Sequence, residues 1–131
     1  MKEYKKLIVW QKSIELVKLV YESLKELPKN EEYGLSSQIK RAAVSIPANI
    51  AEANGRNSEG ERRQFLGIAQ GSAYELETEL IILVELKLVT EQKVKLALEL
   101  LEEIEKMLAS LIRRLTPSFS KSYYGISFKN H

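Results

Sequence analysis

The 131-residue chain predicts an all-α fold, an up-down-up-down antiparallel four-helix bundle with a non-helical C-terminal tail. Three observations carry that prediction. Apolar residues recur at steps of three and four along four successive segments, and no strand-like alternation or domain-scale repeat appears. All 18 acidic residues are glutamate, the acid that long helices prefer, because aspartate competes with the helix backbone for hydrogen bonds. Breaks between the segments are short and carry helix stop or start signals, so consecutive helices pack as antiparallel neighbours.

The first helix is expected from about Leu7 to Leu27, with Trp10, Ile14, Val17, Tyr21 and Leu24 on its buried face, widened by Leu16 and Val20. Pro28 stops it, and residues 29–34 form a loop. The second helix spans about Leu35 to Ala53, with Ser36 or Ser37 as its cap and Leu35, Ile39, Ala42, Ile46, Ile50 and Ala53 as its stripe. Asn54-Gly55 ends it, since both tolerate the left-handed conformation of a C-cap. Pro47 sits in its interior, where proline costs roughly 3 kcal/mol. A kink that shapes a subunit contact is the expected use of it.

The third helix opens on the capping box Ser58-Glu59-Gly60-Glu61 and runs to about Leu88. Phe65, Ala69, Ser72, Leu76, Leu80 and Leu83 line one side, and Gly67 and Gly71, one turn apart, permit another helix to come close. Thr90 caps the fourth helix, whose seam is Val94, Ala97, Leu101, Ile104, Leu108, Leu111 and Leu115, ended by Pro117. Residues 1–117 are read as the bundle domain and 118–131 as an extended tail, rich in Ser, Tyr and Phe.

Composition narrows the function. Cysteine is absent, and the single histidine is the last residue, His131. Without aspartate as well, the usual general acid–base and metal-ligating groups are missing, so no catalysis, no metal and no cofactor are expected. Glu75, Glu77 and Glu79 lack the internal histidines that a di-iron bundle site requires. No signal peptide is evident, and the longest apolar run, Leu80 to Val84, is far short of a membrane span. A cytoplasmic protein without a membrane partner is expected.

Surplus apolar residues lie off the main stripes: Ile8 and Leu19 in the first helix, Ile81, Ile82 and Val84 in the third, Leu96, Leu100 and Met107 in the fourth. Left exposed they would form a patch that monomers rarely tolerate, so self-association is expected.

Net charge is +2, with 12 Lys/Arg and 9 Glu in residues 1–63 against 8 and 9 in the remainder. The best basic cluster is Lys40, Arg41, Arg56, Arg62 and Arg63, the last three around a helix N-terminus where backbone N–H groups favour phosphate. The Gly55 to Gly60 loop lacks the Lys and Ser/Thr of a nucleotide-binding phosphate loop, and no strand precedes it. A polar face on helix two, Gln38, Arg41, Ser45, Asn49 and Glu52, matches Ser72, Glu75 and Glu79 on helix three. Those residues form a register-setting network, a subunit contact, or an anion-binding or catalytic site.

The run Tyr33-Gly34-Leu35-x-Ser37-Gln38-Ile39-x-Arg41-Ala42-Ala43-Val44-Ser45-Ile46-Pro47-x-Asn49-Ile50-Ala51-Glu52 resembles the four-helix-bundle proteins encoded in intervening sequences of bacterial large-subunit rRNA genes, also called S23-like. Val9-Trp10-Gln11-Lys12, Val20-Tyr21, Gly55-Arg56, Phe65-Leu66-x-Ile68-Ala69-x-Gly71-Ser72 and Glu75-Leu76-Glu77-Thr78 extend the resemblance over about residues 7–115. It implies a bundle that assembles into a ring, typically a homopentamer. Similar proteins include retroelement accessory variability determinants, which bind nucleic acid and a reverse transcriptase through a basic surface; for the ribosomal-gene members no settled activity is implied. Ala53 in place of Gly, and Leu86-Lys87-Leu88-Val89 in place of Leu-Gly-Tyr-Leu, depart from the family pattern.

The expected function is a non-enzymatic, ring-forming bundle that binds structured RNA or DNA through its basic surface. The alternative is an oligomeric protein-interaction scaffold without nucleic acid.

Overall fold

A computed structural model describes residues 2–31 and 34–117. Tyr33 and the tail 118–131 lie outside the described residues. Four helices follow in order: α1 (Ile8–Leu24), α2 (Leu35–Asn54), α3 (Glu59–Glu85) and α4 (Glu91–Leu115). A short 3-10 turn, Glu3–Lys6, precedes α1, and another, Lys29–Glu31, lies between α1 and α2. Each helix packs on two neighbours, α1 on α2 and α4, α3 on α2 and α4. Contacts far apart in sequence fix the antiparallel sense. Ser23 near the end of α1 donates to the Lys93 carbonyl near the start of α4 (3.1 Å), and Arg63 near the start of α3 donates to the Leu115 carbonyl at the end of α4 (2.6 Å).

The core is aliphatic: Leu16, Val20, Ile39, Ile46, Ile50, Leu76, Leu80, Leu83, Val94, Leu101, Ile104 and Leu108 are sealed from water. The α4 seam is buried at Val94, Ala97, Leu101, Ile104 and Leu108, as its spacing requires, and loosens at Leu111 and Leu115.

In α1 the buried line is rotated by one position. Val9, Ser13, Leu16, Val20, Ser23 and Leu24 face inward, while Trp10, Ile14 and Val17 are half-buried and Tyr21 is exposed. The reason is that two serines belong to the core. Ser13 donates to the Trp10 carbonyl (2.7 Å), and Ser23 donates to the Leu19 and Lys93 carbonyls. A satisfied hydroxyl costs little inside, and its small volume lets α1 approach its neighbours. Trp10 instead meets Tyr4 edge-on at 5.3 Å.

Helix ends differ from expectation in physical detail. Ser58 Oγ accepts the Glu61 amide and Thr90 Oγ1 accepts the Lys93 amide, as capping requires. At α2 the N-cap is Gly34, without a side-chain bond, and Ser36 is buried inside the first turn. Gly55 at the other end sits at φ −84°, in the right-handed region, so no left-handed cap forms there. The left-handed position is Lys87, φ 60°, and α3 ends at Glu85, three residues short of Leu88. α2 runs through Pro47 to Asn54, and the proline ring is buried.

Candidate nucleic-acid interface

The polar faces of α2 and α3 do meet. Ser45 and Ser72 hydroxyls are 2.8 Å apart, and Asn49 Nδ2 donates to both the Ser45 carbonyl (2.8 Å) and its Oγ (2.9 Å). Gln38, Arg41, Ser45, Ser72 and Glu75 then line a shallow groove of about 480 Å³ between the two helices. Glu52 takes no part: it pairs at 2.7 Å with Arg56, just past the end of α2.

Glu79 shares the α3 face that its spacing assigns to it, but the packing takes it out of solvent. It is only 7% exposed, and its Oε1 has no hydrogen-bond partner among the described residues. Burial, and then the charge of Glu75, push its carboxyl up to about 7, against a smaller opposing pull from Arg41. Arg41 thus lies within electrostatic reach of Glu79 without forming an ion pair among the described residues. A second carboxyl, that of half-buried Glu105 on α4, is likewise raised to about 7, by burial first and then by its hydrogen bond to Glu77 and the charges of Glu77 and Glu102.

The five basic candidates fall into two places. Lys40 and Arg41 lie in the first half of α2, with Lys40 Nζ 5.1 Å from the centre of the Tyr21 ring. Arg56 is fifteen residues further on, about 22 Å along a helix axis. There the arginines cluster around one turn. Arg56 pairs with Glu52 and stacks on Phe65 (4.6 Å), and Arg62 Nε donates to the Arg56 carbonyl (3.1 Å). Arg63 is the most committed, because it caps the last turn of α4 through the Leu115 carbonyl.

The bundle topology adds partners to this cluster. The start of α1, the α2–α3 turn and the end of α4 share one end of the bundle. That end therefore also holds Lys5, Lys6, Arg113 and Arg114. Cutting each helix at its midpoint, the half nearer this end (residues 2–16, 45–72 and 104–117) has 10 Lys/Arg and 6 Glu. The described residues of the opposite half have 8 Lys/Arg and 11 Glu. Among the described residues the bundle is electrically polar, +4 at one end and −3 at the other.

Exposed apolar residues concentrate elsewhere. Ile68, Tyr74, Ile81 and Ile82 are exposed on the outer side of α3, where a side chain added at Gly67 or Gly71 would meet nothing within 4 Å. The two glycines therefore make no close approach to another helix of the same chain. Ile8 (59%) and Leu96 (64%) are also exposed, whereas Leu19, Val84, Leu100 and Met107 pack partly against the core.

Comparison with known proteins agrees with this architecture. The model of the 23S rRNA-intervening sequence protein family matches residues 5–110. This chain belongs to that family. A crystal structure similar to it is that of a protein of unknown function from the S23 ribosomal protein family of Bacteroides thetaiotaomicron VPI-5482. The two share 31% identity at a TM-score of 0.72, over 80% of this chain and 98% of the other. No curated protein matches. As a member of the intervening-sequence family, the chain shares the fold of a relative whose function its own description leaves open. Among the described residues, no helix is long and apolar enough to cross a membrane.

Proposed function

We propose that this protein is a self-associating, non-enzymatic four-helix bundle that binds structured RNA or DNA through the phosphates facing its cationic half. The observation that carries the reading is the separation of charge along the bundle, which gathers Arg56, Arg62, Arg63, Arg113 and Arg114 at one end. Such a field favours polyanions and orients them. Lys40 and Arg41 extend the surface along α2. The bare outer side of α3 supports association of copies, and a ring, such as a homopentamer, would repeat the same basic end on every protomer. Missing aspartate, cysteine and internal histidine supports a binding role over catalysis.

The test is affinity for a structured RNA or a DNA duplex across a salt series. On duplex DNA, log affinity should fall linearly with log salt, with slope near −0.9 per phosphate contact. Arg56→Ala with Arg62→Ala should flatten that slope by about two contacts. Affinity indifferent to salt, together with protein that purifies free of nucleic acid, would overturn the reading in favour of a protein-interaction scaffold.

A further inference from the structure

Two grooves meet at the cationic end. The first, about 510 Å³, runs between the start of α1 and the last turns of α4 over Leu7, Val9, Met107 and Leu111. The second, about 230 Å³, continues across the end of the bundle over Ile50, Ala53, Leu66 and Leu115. They share Leu7, Leu111 and Arg114, so the floor is continuous and aliphatic. Lys6, Lys106 and Arg114 border the first, Arg62 and Arg114 the second, and among the described residues no carboxylate lines either. Lys6 and Lys106 hold only surface pairs, to Glu3 (3.3 Å) and Glu102 (3.4 Å), whose carboxylates are 77% and 65% exposed. Pairs of that kind contribute little and yield readily to a better partner.

We propose that this groove is a docking site for an acidic amphipathic helix of a partner protein. An aliphatic floor receives the i, i+3, i+4, i+7 stripe of such a helix, and a rim of four cations meets its acidic flanks. Charge and chemistry select against other occupants. Among the described residues no aromatic side chain lines the floor, so these walls give unpaired bases nothing to stack on. The chain's own segment 118–131 carries Lys121 and Lys129 and no acidic side chain, the wrong sign for this rim. The inference stands on the aliphatic floor, which Ile8 borders, and shares only its rim cations Arg62 and Arg114 with the nucleic-acid reading.

The experiment is fluorescence anisotropy of a labelled Leu/Glu helical peptide with leucines at i, i+3, i+4 and i+7, titrated with the full-length protein. A scrambled peptide of identical composition keeps the charge and loses the stripe. Saturable micromolar binding is expected, at least about tenfold weaker for the scrambled peptide and for Ile8→Glu, and weaker again for Arg114→Glu. Ile8 is 59% exposed and Arg114 lies on the surface, so both variants should fold, with circular dichroism as the check. Equal affinity for the scrambled peptide, or no saturation, would overturn the proposal. So would loss of self-association in Ile8→Glu by light scattering, which would assign the groove to a second copy. Peptide affinity left unchanged by Ile8→Glu and abolished by a DNA duplex would assign the groove to phosphate and overturn it too.

Discussion

Glu79 makes the fold pH-sensitive in a direction opposite to that of most carboxylates. It is 7% exposed, one oxygen is unpartnered among the described residues, and burial pushes its carboxyl up from 4.5 to about 7. Below pH 4.5 the group is protonated in both folded and unfolded chains and costs nothing. Between 4.5 and about 7 the unfolded chain releases the proton and the folded chain keeps it, so stability falls as pH rises. Above about 7 both are ionised and the full cost is present. Each pH unit between those two titration points is worth about 1.36 kcal/mol, so the cost is at most about 3 kcal/mol. Glu79→Gln removes the titration while keeping the shape. Urea denaturation at pH 4 and pH 8 should therefore show Glu79→Gln gaining on the wild type by about 3 kcal/mol between the two. The gain is a difference of differences, so a constant packing penalty from the amide cancels. Glu105 acts in the same sense and leaves part of the wild-type slope in place. Parallel pH profiles for variant and wild type would refute the account of a buried, poorly compensated carboxylate.

Three further outcomes follow from packing and capping. Leu76→Ala, at a fully buried position between helices, should cost about 3 kcal/mol in denaturant unfolding with an unchanged m-value. Arg63→Ala removes the charged donor to the Leu115 carbonyl and should cost about 2 kcal/mol, with faster amide exchange confined to the last turn of α4. Gly71→Ala, which meets open space, should stabilise an isolated subunit by roughly 0.5–1 kcal/mol. A fall in molar mass by light scattering for the same variant would mark the bare side of α3 as a subunit contact.

Helices were legible wherever apolar spacing and burial are the same thing. In α4 every buried residue lies on the seam that the spacing of three and four picks out. α1 shows the limit of that signal. Counting apolar residues selects the Trp10–Tyr21 line, but the line that faces inward includes Ser13 and Ser23, whose hydroxyls are satisfied by nearby carbonyls. The burial of Glu79 was hidden for the related reason that a carboxylate reads as surface until the tertiary packing encloses it. The Ser45–Ser72–Asn49 cluster was visible as a matched pair of polar faces, since helical spacing alone puts those residues on one side. The basic site was only half legible. Sequence proximity grouped Arg56, Arg62 and Arg63, yet joining them to Lys6 and Arg114 requires knowing which helix ends coincide. Conversely, Lys40 and Arg41, grouped with the arginines by charge type, lie about 22 Å away along α2.

The most direct test of the central claim is where nucleic acid touches the protein. Ultraviolet cross-linking of a structured RNA to the intact protein, followed by mass spectrometry of the cross-linked peptides, reads that position. The account predicts adducts in residues 56–63 and around Arg113 and Arg114, at the end where positive charge gathers. Adducts confined to the opposite, glutamate-rich half of the bundle, or none under low salt, would contradict it.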